Sequence, residues 1–173
     1  MILTGPEIRR AQTAGEISIA PFSPLHLNPN SYNFHLGSRL VRVSGHNGQE
    51  TTRSVDLPKE GFVLEPGSLY LGVTHERIGS SEYSMTLLGR SSIGRLGIFL
   101  NSTADLGHFG SDSNWTLEIS VVQAVRIFPL MKIGQVAFWT VEGRRRPYSG
   151  RYQNDIHPEP SKDPTLVGKQ RNG

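Results

Sequence analysis

The chain has 173 residues, enough for one domain with a substantial core and too few for two. Its formal net charge of +3 suits a small anionic ligand but is too weak and dispersed for nucleic acid, since the densest basic run is only Arg144-Arg145-Arg146. It contains no cysteine, which excludes disulfides, thiolate metal sites and cysteine nucleophiles. No stretch approaches the ~18 to 20 apolar residues of a membrane span, and Met1-Ile2-Leu3-Thr4 does not open a basic-then-apolar leader, so a cytoplasmic protein is expected.

In chain order, the first predicted element is a helix. Thr4 is placed to cap Pro6 through Gln12, with Pro6 and Glu7 where a first turn favours them and Gly15 where it should stop. After the turn-rich stretch from Pro21 to Pro29, short runs of branched and aromatic residues predict strands. These cover Tyr32 to Leu36, Arg39 to Val43, Phe62 to Leu64, Leu69 to Thr74, Ser84 to Leu88, Ile98 to Asn101, Trp115 to Val122, Val125 to Ile127 and Gln135 to Val141. Turns are expected at Ser44 to Gly48, Glu65-Pro66-Gly67 and Pro129 to Gly134. A short helix is predicted over Ser91 to Arg95, and from Arg144 onward an extended arm. Many short strands at this spacing, with 19 glycines and 11 prolines between them, imply a mainly β sandwich, jelly roll or distorted barrel. The domain is expected over 1–143 and the arm over 144–173.

Two segments carry chemistry. Gly89-Arg90-Ser91-Ser92-Ile93-Gly94-Arg95-Leu96-Gly97 combines planar cationic donors, hydroxyls and accessible backbone N–H groups, a combination suited to phosphate. The bland reading of that loop is a basic surface turn. Trp115-Thr116-Leu117-Glu118-Ile119 places one carboxylate in an apolar run, where it needs a partner or a task. A solvent-facing strand glutamate is the plain alternative. Ser91 and Arg95, four apart, share one face of a helical turn. The six histidines, at 26, 35, 46, 75, 108 and 157, have no ligand spacing, so the zinc-deaminase pattern is missing and no protein metal site is expected.

These segments, with Pro29-Asn30-Ser31-Tyr32-Asn33-Phe34-His35-Leu36-Gly37, Glu65-Pro66-Gly67, Ile133-Gly134-Gln135 and the tail pieces Pro147-Tyr148 and Arg151-Tyr152-Gln153, make the chain resemble the dCTP deaminase family, in family order. The resemblance implies a dUTPase-like β-barrel or jelly roll, assembled as a homotrimer with sites between subunits. It implies a metal-free deamination of a cytosine nucleotide, dCTP plus water to dUTP plus ammonia, in supply of thymidylate. Glu118 takes the role of general base and acid, shielded by Leu117 and Ile119 so that its proton affinity rises. Ser91 positions the attacking water, Arg95 holds the glutamate, and Ala104 offers its backbone carbonyl to the same water. Arg90 and Ser92 bind phosphate, together with Ser91 and Arg95, while Thr116, Leu117 and Glu118 lie near the base. Tyr148 and Arg151 belong to a tail that covers the nucleotide. Mg²⁺ is expected only as the companion of the triphosphate. The resemblance implies dCTP and dUTP as the nucleotides and dTTP as an inhibitor.

Three positions depart from the family pattern. His108 stands where an aspartate contacts the deoxyribose, Ser111 where an aromatic is usual, and Asp155 where a glutamine helps bind nucleotide. His108 retains hydrogen-bonding capacity towards a sugar hydroxyl. The changes put substrate identity in more doubt than chemistry. They leave open a dUTPase, a bifunctional deaminase and pyrophosphatase, a deaminase of another cytosine nucleotide, and a non-catalytic nucleotide-binding module.

Overall fold

The computed structural model describes residues 1–46, 49–101, 104–152, 156–158 and 160–162, with 44–46 and 49–51 described as backbone only. The chain opens with helix α1 (Gly5–Thr13). Thr4 is its extended N-cap residue, with Ile8 N donating to Thr4 O at 2.8 Å as the first helical bond, but the expected cap by the Thr4 side chain is corrected, since that side chain makes no capping bond. The helix stops where expected, with Gly15 at φ +74° and Glu16 N donating to Ala11 O at 2.9 Å. Ile8 and Ala11 are fully buried on its inner face.

Strands β1 (Ile17–Ala20), β2 (Leu27–Asn28), β3 (Ser31–His35), β4 (Arg39–His46), β5 (Gln49–Asp56), β6 (Phe62–Leu64), β7 (Leu69–Ser80) and β8 (Tyr83–Gly89) follow. Helix α2 (Ser91–Gly94) comes next, then β9 (Ile98–Leu100), β10 (Leu106–Gly107), β11 (Asp112–Val121), β12 (Val125–Ile127) and β13 (Lys132–Thr140). One sheet runs β5-β4-β7-β11-β9, with β1 also on β7; a second runs β10-β8-β13-β3-β2; β12 pairs β6 alone. All pairings are antiparallel. The chain is therefore mainly β. Tyr32, Phe34, Met85, Val136 and Phe138 of the second sheet share one core with Leu40, Tyr70, Ile78, Leu117 and Ile119 of the first.

Every strand expected from the sequence is present, several of them longer. Of the turn expected over Ser44 to Gly48, Ser44 to His46 are corrected to strand, because β4 continues to His46 and pairs in register with β5 as far as Gln49, while Asn47 and Gly48 lie outside the described residues. β5 went unpredicted because Gln49-Glu50-Thr51-Thr52-Arg53-Ser54 is polar; an edge strand needs no apolar face when its neighbour supplies the ladder. β1, β2 and β10 are too short to leave a periodic signal.

The ladder between β7 and β11 slips. Asn114 faces Arg77, yet Thr116 faces Val73. The two extra residues bulge out of β7 at Thr74–Glu76 and are tied down by named bonds. The Thr74 hydroxyl accepts Trp115 N–H at 2.8 Å and donates to Glu76 O at 2.7 Å, and the Asn114 amide donates to Thr74 O and His75 O at 3.0 and 3.2 Å. The bulge turns Glu76 inward, where it is 1% exposed and its carboxylate meets both His35 N (2.8 Å) and His35 Nδ1 (2.5 Å).

Candidate active site

A cavity lies beside the slip. Asn114, Thr116 and Glu118, alternate residues of β11, line it, together with Ser111 and Ser113. Trp115, whose indole N–H is held by Ile78 O at 2.9 Å, lines it too. The cavity measures about 570 Å³, a size that suits a small molecule. Val43, Leu69 and Leu71 form an apolar wall, and Ala104, Leu106 and His108 complete another side.

Glu118 is half-buried in the middle of β11, opposite Leu71. Its backbone is held from the other side by Asn101, which donates N–H to Glu118 O at 2.9 Å and accepts Glu118 N–H on Oδ1 at 2.8 Å. The expected shielding by Leu117 and Ile119 is corrected. Both are fully buried on the opposite face of the strand, because successive strand residues alternate sides. They anchor β11, each contributing roughly 1.5–3 kcal/mol. The apolar neighbours of the Glu118 face are Leu69, Leu71 and Val43.

From the arm after β13, Tyr148, Tyr152, Pro160 and Ser161 also line the cavity. Tyr148 N donates to Phe109 O at 3.1 Å, and its ring stacks on His108. Gly110, at φ +82°, lets the arm pass; a β-carbon there would lie 2.7 Å from Pro147 Cβ. Lys162 N donates to Tyr152 Oη at 3.0 Å, and Arg145 pairs with Glu82.

Of the residues singled out in the sequence, Glu118, Thr116, Ala104, His108 and Tyr148 meet at this cavity. Ser111, noted there as a departure, lines it too. Leu117 does not present its side chain to it. Arg90, Ser91, Ser92 and Arg95 are not part of its lining; they form α2 and its caps, with Ser91, Ser92 and Arg95 exposed. Arg95 N donates to Ser91 O at 3.1 Å, the single turn that the four-residue spacing implied. Arg151 is exposed, donates to Lys162 O at 3.4 Å and is not part of the lining. Asp155 lies outside the described residues. Sequence reading missed Val43, Leu69 and Leu71, whose pattern is that of any core strand, and Asn101, whose role depends on the residue across the ladder. Among the described residues no three His, Cys, Asp or Glu side chains are grouped to hold a metal ion, and no helix is long and apolar enough to cross a membrane.

Residues 2–141 match the model of the dCTP deaminase-like family. The chain belongs to that family. A Hathewaya histolytica relative named dCTP deaminase, dUMP-forming, is 42% identical over 166 residues, covering 93% of this chain and 96% of the relative. A Clostridium beijerinckii protein of the same name is 40% identical, covering 93% and 95%. A Rhodopirellula baltica dCTP deaminase is 41% identical, covering 93% and 83%. The crystal structure of a 2′-deoxycytidine 5′-triphosphate deaminase from Agrobacterium tumefaciens superposes with a TM-score of 0.64 at 26% identity, over 79% of this chain and 46% of that one. For this member of the dCTP deaminase-like family, the cavity around Glu118 is the candidate active site.

Proposed function

We propose that the chain deaminates dCTP, with Glu118 as general base and acid. The observation that carries this is the placement of Glu118, backbone-clamped and half-buried, in the wall of a cavity that Ala104, His108, Thr116 and Tyr148 share, in a chain of the dCTP deaminase-like family. In this reading the carboxylate takes a proton from water as the water oxygen bonds to C4 of cytosine, and passes that proton to ring N3. Glu118 then takes the proton of the new C4 hydroxyl and delivers it to the C4 amino group, the C4–N bond breaks, ammonia leaves and C4 becomes the uracil carbonyl. Water is consumed and no electrons change hands.

Among the described residues, none that lines the cavity is a lysine or arginine, and in this reading the triphosphate takes its cations from elsewhere. The exposed Arg95, and Arg90 beside it, are the matching donors if α2 of a second copy faces the cavity. We therefore take the assembly to be a homotrimer of dUTPase-like distorted barrels with sites between subunits. Ser91 then aligns the water, Arg95 meets Glu118, and Arg90 and Ser92 hold phosphate. Mg²⁺ arrives as part of the substrate, on the phosphate oxygens. The domain ends near 143 in this reading, and the arm from 144 onward covers the bound nucleotide in the cytoplasm.

A second reading, that deamination continues to dUMP and pyrophosphate, is favoured by the dUMP-forming names of the Hathewaya and Clostridium relatives. One experiment separates them. Purified protein is incubated with dCTP, CTP, dCMP or dUTP plus Mg²⁺, with and without dTTP, and the products are resolved by chromatography. Ammonia and dUTP from dCTP support the first reading; ammonia, dUMP and pyrophosphate support the second. No product from any substrate overturns both.

A further inference from the structure

We infer that Asn101 is a positioning residue for Glu118. The β9–β11 ladder pairs Leu100 with Ile119, so its next rung would set Asn101 against Glu118. Half of that rung is ordinary backbone, from Asn101 N to Glu118 O at 2.9 Å. The other half is not. Asn101 has φ +45°, so the chain leaves the strand there, and its side-chain Oδ1 accepts Glu118 N–H at 2.8 Å in place of a backbone carbonyl. Asparagine is among the few non-glycine residues that tolerate this left-handed conformation, and its short amide reaches a neighbouring backbone group.

Two requirements conflict at this point. Glu118 needs a fully paired backbone, because a carboxylate that shuttles protons must stay within a few tenths of an ångström of its place. The chain after Leu100 must also turn out of the sheet, since Ala104, three residues past Asn101, lines the same cavity. A continued strand would satisfy the first requirement and lose the second. Asn101, itself only 7% exposed, satisfies both by replacing its main-chain acceptor with a side-chain one. Nothing in the strand pattern of Ile98 to Asn101 announces this, because the feature is a rung completed from the side.

The inference rests on the proposed role of Glu118, and two variants test it. Asn101→Gly keeps the left-handed backbone and removes the acceptor, whereas Asn101→Asp keeps both. With dCTP, kcat of Asn101→Gly is expected to fall about 100-fold while KM stays within about threefold, and Asn101→Asp to recover at least about a tenth of wild-type kcat. A glycine variant within about twofold of wild type in kcat, or an aspartate variant as slow as the glycine one, overturns the role. Amide hydrogen exchange at Glu118 is read separately, by NMR. Exchange there should be at least about tenfold faster in Asn101→Gly than in wild type, and equal rates overturn the clamp itself. Should wild type release no ammonia from any cytosine nucleotide, the functional reading fails while the exchange measurement still decides whether the clamp exists.

Discussion

His108 and Tyr148 stack with ring centroids 5.5 Å apart and planes 19° from parallel, which joins the C-terminal arm to the cavity wall. The contact links a residue of the segment leading into β11 to one that lies forty residues further along the chain. Both residues line the cavity, where the proposed nucleotide would meet them. Stacked rings contribute about 0.5–1.5 kcal/mol beyond the area they bury. Tyr148→Ala is therefore expected to raise KM for dCTP up to about tenfold with a smaller change in kcat, and Tyr148→Phe to restore most of it. Steady-state kinetics check this. An alanine variant with wild-type KM would mean that the stack does not contribute to substrate binding.

Glu118→Gln preserves shape and removes the carboxylate that would accept and return the proton. It should lower kcat by about 10²–10⁴-fold while dCTP still binds, as measured by ammonia release and by calorimetry. Arg95→Ala should be similarly inactive if, as in the proposed trimer, this cation pairs with Glu118 of a neighbouring copy. Co-refolding the two inactive variants then gives mixed assemblies in which some sites contain an intact Glu118 from one chain and an intact Arg95 from another. Recovered turnover is expected. A mixture as inactive as its parents would place both residues in sites built from one chain.

His26 sits against Tyr32 and 4.5 Å from the His35 ring. Burial chiefly, then the neighbouring His35 and Lys132, hold its imidazole below the ordinary value of 6.5, opposed by Glu76. The folded chain thus keeps His26 neutral at pH values where the unfolded chain takes up a proton. The resulting stability is present above the unfolded value and is lost as pH falls from there towards the folded one. Urea midpoints taken between about pH 7.5 and about pH 5.5 should drop less in His26→Phe than in wild type. An equal drop in both would show that His26 carries none of this dependence.

Gly134 faces Phe34 across the β3–β13 ladder, and a β-carbon there would lie 2.1 Å from Phe34 Cζ. Phe34 is fully buried and has no free space to move into. Gly134→Ala is accordingly expected to destabilise the fold by about 1–3 kcal/mol through overpacking. Thermal melts report the loss. A variant as stable as wild type would mean that the Phe34 ring shifts at little cost.

Some of this was readable from residue order alone. The mainly β fold, α1, the turn at Glu65-Pro66-Gly67 and the single helical turn of Ser91 to Arg95 follow from local preferences that neighbours in sequence enforce. The two chemical segments were legible because arginines, hydroxyls and glycines in nine residues, and one carboxylate in an apolar strand, are unusual combinations. Membership of the dCTP deaminase-like family followed from those segments and their order.

The tertiary structure alone decided which face of β11 bears the chemistry. Leu117 and Glu118 are neighbours in sequence, but pleat alternation sends them to opposite sides of the strand. It alone showed Val43, Leu69 and Leu71 as the apolar wall, and Asn101 as the residue that finishes the last rung beside Glu118. It also set Arg90, Ser91, Ser92 and Arg95 on α2, outside the lining around Glu118. Local preference is a property of neighbours along the chain. Which residues share a cavity is settled by strand register and sheet packing, where partners lie dozens of residues apart.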